Sequence, residues 1–202
     1  MPRPSNPQVR VRLLTAGLEL IRANGFNGCG VKEITDHAGV PKGSFYSYYS
    51  SKDDFAVAVL EHYWVSIERD FGKHLQDESL APLDRVSAFF RAMTEDNARR
   101  DFTVGCLVGN LALEIADHSV KARAKLAHIM DRWTARISAC LREAGVGFPD
   151  GHGTAEDLAA ALIEAWEGAV MQGRILQRRD PYDRFAAVVV PRLLGTPVAR
   201  DA

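Results

Sequence analysis

The chain has 202 residues, with 25 basic and 26 acidic side chains and a formal charge of −1. That length suits one large domain or two small ones, each able to bury a core. No apolar run is long enough to span a membrane, no secretory leader pattern opens the chain, and three unevenly spaced cysteines make no disulfide framework, so a cytoplasmic protein is expected.

The charge is unevenly divided. Residues 1–52 carry seven basic and three acidic side chains, a net +4, which leaves −5 on the remaining 150. A basic head on an acidic body suits a nucleic-acid reader joined to a part that does not touch nucleic acid. Chance unevenness is the plainer alternative.

In chain order, Met1–Asn6 reads as a frayed arm with Arg3 as a loose phosphate contact. Val11, Leu14, Leu18 and Ile21 recur at helical spacing and predict a helix from about Gln8 to Asn24, ended by Gly25. Two short helices come next in VKEITDHAGVPKGSFYSYYSSK, Val31–Lys52. Val31, Ile34 and Ala38 make the apolar face of the first, and Gly39 takes the left-handed C′ position at no steric cost. Pro41 suits the first position of the second helix, which runs to about Tyr48 on one apolar anchor, Phe45. Its other face shows Lys42, Gly43, Ser44, Tyr46 and Tyr48. A helix so polar and so short needs a partner on its outer side. Two readings fit: a helix-turn-helix whose second helix enters the major groove, or an ordinary helical corner with a solvated face.

Ser51 and Asp54 then resemble a capping box opening a long helix to about residue 76, with Phe55, Leu60, Trp64, Ile67 and Phe71 as its stripe. Glu78–Leu83 is a loop. Pro82 opens an amphipathic helix carrying Val86, Phe89, Phe90 and Met93, and Asp101–Gly105 breaks it. In GCLVGNLALEIAD, Leu107, Leu111 and Ile115 form one stripe, while Cys106, Asn110 and Glu114 form a polar one beside it. That pairing suits the wall of a small-molecule pocket; a surface helix with Asn110 and Glu114 in water is the alternative. His118–Ala144 is a long helix with Trp133 on its inner face. Gly145–Gly153 is a connector, and Thr154 with Asp157 caps the next helix. Leu158, Leu162, Trp166, Val170 and Leu176 alternate there with Ala161, Ala165, Ala169 and Gly173. Asp180-Pro181 starts a last helix with Phe185, Val188, Val189 and Leu193, which Pro191 should kink or end. The tail after Gly195 is expected to be disordered.

The stretch AGVPKGSFYSYYSSKDDF resembles the signature of TetR-family repressors, with its Gly-Val turn, Ser-aromatic-Tyr run and Ser-Lys pair in that order. The resemblance implies an all-α fold of about nine helices. A DNA-binding domain would occupy residues 1–52, and an effector-binding and dimerisation domain residues 53–202. It assigns base reading to Lys42, Gly43 and Ser44, and phosphate contacts to Tyr46, Tyr48 and Lys52. Arg10, Lys32 and Tyr49 complete the candidate DNA set. Tyr49 stands where Phe is usual, and Cys29 and Gly30 where many members carry a capping Thr or Ser. Together with GCLVGNLALEIAD, the motif is similar to the branch whose members respond to acrylate or N-ethylmaleimide. That likeness implies an effector that is a reactive electrophile or a small unsaturated acid.

The family places effectors in the body, where Cys106, Asn110, Glu114, Phe89, Met93, Trp133 and Trp166 are the candidates. It also makes a homodimer through its last two helices, here by Leu162, Ala165, Trp166, Ala169, Val170, Gly173, Phe185 and Val189. A thiol at a helix start with Arg99 and Arg100 near in sequence would have a lowered pKa, although a free Cys is more often a small buried hydrophobe. Cys29 and Cys140 are read as such. No phosphate-binding loop, paired acidic motif or Cys-x-x-Cys appears, so no enzyme is expected. Glu114 and His118 are the one usable metal pair, and two ligands are too few; neither metal nor cofactor is expected. The partners are then operator DNA, a small effector and a second copy, with no membrane. A DNA-binding module answering to a partner protein, or to nothing, is the competing reading.

Overall fold

The computed structural model describes residues 6–146 and 153–195, and every regular element among them is helical. Arg3, most of the Gly145–Gly153 connector and the tail after Gly195 lie outside those residues. The chain forms two compact units: a head, reaching to Ser66 and including Leu107–Ile129, and a body, Ile67–Cys106 with Met130 onward. The head thus takes in more of the chain than residues 1–52.

In the head, α1 (Pro7–Asn24) starts with the Asn6 side chain accepting from the Gln8 N–H at 2.9 Å. It buries Leu13, Leu14, Ala16, Gly17 and Ile21. Val11, expected on that face, is 54% exposed, because the stripe is turned toward Leu13. Gly17 is required by contact: a Cβ there would lie 2.3 Å from the Phe55 ring. Next come α2 (Val31–His37) and α3 (Lys42–Phe45), with Gly39 between them at φ +63°. Pro41 is the residue before α3, not its first. Ser51 Oγ accepts from the Asp54 N–H at 3.0 Å and opens α4 (Lys52–Ile67). The Asp54 carboxylate goes to Ser50 and to Lys121 Nζ, 2.6 Å from the latter. After α5 (Pro82–Ala98), which belongs to the body, α6 (Leu107–Ile115) and the first part of α7 (Val120–Glu143) complete the head.

In the body, α4 continues through a π-helical turn, Glu68–Gly72, to Leu75. One extra residue in that turn rotates the remainder of the helix. Phe71, expected to extend the buried stripe of Phe55, Leu60, Trp64 and Ile67, is consequently only half-buried. Glu68 pairs with Arg132 at 2.8 Å and Arg136 at 3.0 Å. The body also holds α5 (Pro82–Ala98) and, after residue 153, α8 (Ala155–Leu176), opened by a complete Thr154–Asp157 capping box. α9 (Asp180–Arg184) passes into a second π-turn, Phe185–Val189, and a last turn, Val190–Leu193. Pro191 neither ends nor breaks this helix; the wide turn just before it opens the ladder where the proline ring would meet a carbonyl.

The body core is aromatic. Phe90 lies 5.3 Å from Trp166 and 4.9 Å from Phe185, and Trp166 lies 5.4 Å from Tyr182, centroid to centroid. The last two pairs meet edge to face, a packing that adds about 0.5–1.5 kcal/mol per pair beyond burial.

Candidate nucleic-acid interface and a buried polar cluster

α3 stands on Phe45, which is fully buried against Phe55 at 5.1 Å and Tyr49 at 5.5 Å. Anchored from below, the short helix turns Lys42, Gly43 and Tyr46 outward, with Ser44 half-covered. Tyr46 is 59% exposed. A Cβ built on Gly43 or Gly30 meets nothing within 4 Å, so the backbone is open to approach at both positions. Arg10 and Lys32 are exposed on the same unit. Lys32 pairs with Asp36 at 2.5 Å; an exposed pair of this kind contributes little and yields readily to a phosphate.

Three of the candidates are engaged within the chain itself. Tyr49 belongs to the core: its ring is buried, and that burial pushes its phenol up against the lowering effect of the Arg10 guanidinium. Lys52 turns inward, its Nζ donating to the Phe26 carbonyl at 2.5 Å and lying 4.2 Å from the Phe26 ring centroid. Tyr48 spends its hydroxyl on the chain's own arm, accepting from the Asn6 N–H at 2.8 Å and donating to the Asn6 carbonyl at 3.1 Å. It positions the start of α1.

Of the expected polar stripe of Cys106, Asn110 and Glu114, the last two lie on the helix. α6 begins at Leu107, so Cys106 precedes it. The Glu114 carboxylate accepts from the Asn27 N–H at 2.9 Å and sits against Gly25, whose φ is +80°. It closes the turn between α1 and α2. Asn110 is half-buried in the head.

In the body, Phe89 and Trp133 meet edge to face at 6.4 Å, and both are buried, as is Met93. Cys106 meets a residue that periodicity did not single out. Its thiol hydrogen-bonds the Glu167 carboxyl, whose pKa burial pushes up to about 7. Tyr182 is the third member; burial first, then the Glu167 and Cys106 charges, push its phenol up to about 12. The expected cationic neighbours are engaged elsewhere, since Arg99 and Arg100 both bond Asp96. Cys29 donates to the Phe26 carbonyl and Cys140 to the Leu75 carbonyl, and burial pushes both thiols up.

The expected seam residues also divide. Leu162, Trp166, Val170, Gly173 and Phe185 are buried within their own unit. Trp166 is a core residue, walled in by Phe90, Tyr182 and Phe185. A Cβ on Gly173 would fall 2.2 Å from the Tyr182 ring, so its smallness serves that contact. Ala165, Ala169 and Val189 instead border an open groove with Gly168, Met171 and Gln172. Beside it Met171 and Ile175 are 55% and 69% exposed.

No helix among the described residues is long and apolar enough to cross a membrane. Residues 13–59 match the model of bacterial regulatory proteins of the tetR family, and residues 82–188 match the C-terminal domain of LmrA/YxaF-like transcriptional regulators. The transcriptional regulator AcuR of Cereibacter sphaeroides is 38% identical over 86% of this chain and 80% of its own. The transcriptional repressor DhaR of a Mycobacterium species is 33% identical over 92% of both chains. The crystal structure of a TetR regulatory protein from Rhodobacter sphaeroides has a TM-score of 0.83 at 36% identity, covering 91% of this chain and 98% of that one. A basic helix-turn-helix head, a helical body and two family models that together span most of the described residues lead to one assignment: the chain belongs to the TetR family of transcriptional regulators.

Proposed function

We propose that this chain is a cytoplasmic repressor that binds a near-palindromic operator as a homodimer and leaves it when a small effector enters its C-terminal domain. The observation that carries this reading is the outward face of α3: Lys42, Gly43 and Tyr46 exposed above a fully buried Phe45. Lys42 and Ser44 read base edges, Tyr46 bonds a phosphate, and Arg10 and Lys32 hold the backbone on either side. The similar protein DhaR is named a repressor, which favours repression over activation. The second copy packs on the groove beside Ala165, Gly168, Ala169 and Met171, setting the two α3 helices about 34 Å apart.

The effector acts at Cys106, as an electrophile or a small unsaturated acid. The test is a footprint on the chain's own upstream DNA, then titration of variants. Lys42→Ala is expected to cost about 1–3 kcal/mol and relax base preference, while Lys32→Ala weakens all sequences alike and flattens the salt slope by about one unit. Wild-type binding by both Lys42→Ala and Tyr46→Phe removes α3 as the reading helix. Release of the operator by N-ethylmaleimide or acrylate is expected from wild type and not from Cys106→Ser; equal release from both overturns the effector assignment.

A further inference from the structure

One peptide group in the head is held at both ends by opposite charges. The Phe26 carbonyl accepts from Lys52 Nζ at 2.5 Å. The Asn27 N–H, the other end of the same amide, donates to Glu114 Oε2 at 2.9 Å. A trans amide points its oxygen and its hydrogen in opposite directions, so the ammonium and the carboxylate approach from opposite sides. Lys52 is the first residue of α4, and Glu114 lies one residue before the end of α6. The amide they share sits in the turn between α1 and α2.

The turn is shaped for this grip. Phe26 is buried, Lys52 Nζ lies 4.2 Å from its ring centroid, and the Cys29 thiol donates to the same carbonyl at 3.7 Å. A Cβ on Gly25 would fall 2.9 Å from Glu114 Oε1, so glycine there leaves room for the carboxylate. One on Gly28 would fall 2.1 Å from the Asn24 carbonyl oxygen, so the turn closes tightly on its own chain. Hydrogen bonds to ionised groups are roughly twice as strong as neutral ones. Two of them on one rigid amide fix its plane, and with it the angle at which α1 meets α2. Arg10 stands on α1, Lys32 on α2, and α3 follows through the Gly39 turn. These side chains meet one duplex together only while that angle is kept, since a misplacement on the order of 1 Å is enough to lose a directional contact.

We propose that Lys52 and Glu114 are positioning residues for operator recognition, setting α1 against the helix-turn-helix by clamping the Phe26–Asn27 peptide. The proposal rests on the reading of α3 as the DNA-reading helix. Neither residue touches DNA. Charge alone argues the opposite outcome for Glu114: an acid in a DNA-binding unit repels phosphate, so losing it would strengthen binding. As a clamp, its loss weakens binding.

The experiment titrates Lys52→Met, Glu114→Ala and Glu114→Gln against the footprinted operator and a scrambled duplex of equal length, between about 50 and 200 mM salt. Glu114→Ala is expected to bind the operator about tenfold more weakly and the scrambled duplex as wild type does, because no phosphate contact is lost. Glu114→Gln keeps an acceptor for the Asn27 N–H and is expected to return to within about threefold of wild type. Lys52→Met is expected to weaken the operator complex about tenfold with an unchanged salt slope. The double variant Lys52→Met/Glu114→Ala is expected to lose less than the product of the single losses, since both act on one peptide.

Glu114→Ala binding at wild-type strength or tighter overturns the clamp, and so does an equal loss on both duplexes, which is what general unfolding gives. A salt slope flattened by about one unit in Lys52→Met places that lysine on the phosphate backbone and overturns its role here. Losses that multiply in the double variant overturn the shared peptide. If Glu114→Ala does not fold, the salt slope of Lys52→Met decides on its own. Wild-type operator binding by Lys42→Ala removes the reading of α3; a weakened Lys42→Ala beside an unaffected Glu114→Ala sinks this proposal alone.

Discussion

Replacing Glu167 by Gln is expected to raise thermal stability at pH 8 and to leave it nearly unchanged at pH 4. The sign comes from the direction of the shift. Burial moves the Glu167 acid from 4.5 up to about 7, so between those values the folded chain holds a proton that the unfolded chain has released. Stability falls as pH rises through that window, and the whole penalty is present above it. At 1.36 kcal/mol per unit the cost of keeping an ionised Glu167 is about 3 kcal/mol. For a domain of this size that corresponds to roughly 6–12 °C in melting temperature. Gln has the same shape and no charge to bury. Asp54, Glu95 and Asp157 shift the other way, held low by Lys121, Arg179 and Thr154 respectively. They stabilise at high pH and lose that contribution in acid, equally in both proteins, so the difference between variants isolates Glu167. The measurement is a melt of each at matched concentration from pH 4 to 8. A gap that does not grow with pH would show that water reaches the carboxyl.

Glu167 is hard to find in the sequence for a physical reason. It lies four residues after Ile163 and three before Val170, both buried, so an acid stands on a helix face otherwise reserved for the core. That is a usable signal, masked because the larger Trp166 beside it defines the apolar stripe. The contact of Glu114 is hard to foresee for a different reason. The spacing of Cys106, Asn110 and Glu114 suggests one helix face, but the helix starts one residue later and its far end meets the turn at Asn27. Contacts of that kind join segments 87 residues apart, and periodicity carries no information about them. The π-turns at Glu68–Gly72 and Phe185–Val189 break the regular helical spacing, and Phe71 lies within the first. By contrast, the Phe45 anchor, the Gly39 turn and the Thr154–Asp157 cap are local and legible in the sequence, because short-range geometry is fixed by neighbours in the chain.

Gly168→Arg is expected to fold, to be monomeric, and to lose operator binding, whereas Trp166→Ala is expected to be strongly destabilised without a specific effect on assembly. The two positions are two residues apart, and the sequence pattern does not separate them. Gly168 borders the open groove on α8, and a Cβ built there meets nothing within 4 Å. Its own chain therefore has room for the larger side chain, and removing a mid-helix Gly gains up to about 1 kcal/mol of helix propensity. Only a second copy would object. An unpaired guanidinium set into a packed seam costs about 3–5 kcal/mol, enough to shift the dimer equilibrium by roughly two to three and a half orders of magnitude. Operator affinity should fall with it, since one half-site supplies only part of the binding energy. Trp166 is fully buried among Phe90, Tyr182 and Phe185, and its loss leaves a cavity worth about 3–5 kcal/mol. Sedimentation, a melt and an operator titration on both proteins read these outcomes apart. A Gly168→Arg protein that sediments as a dimer would move the seam off this groove, and a Trp166→Ala protein that melts like wild type while dissociating would return Trp166 to it.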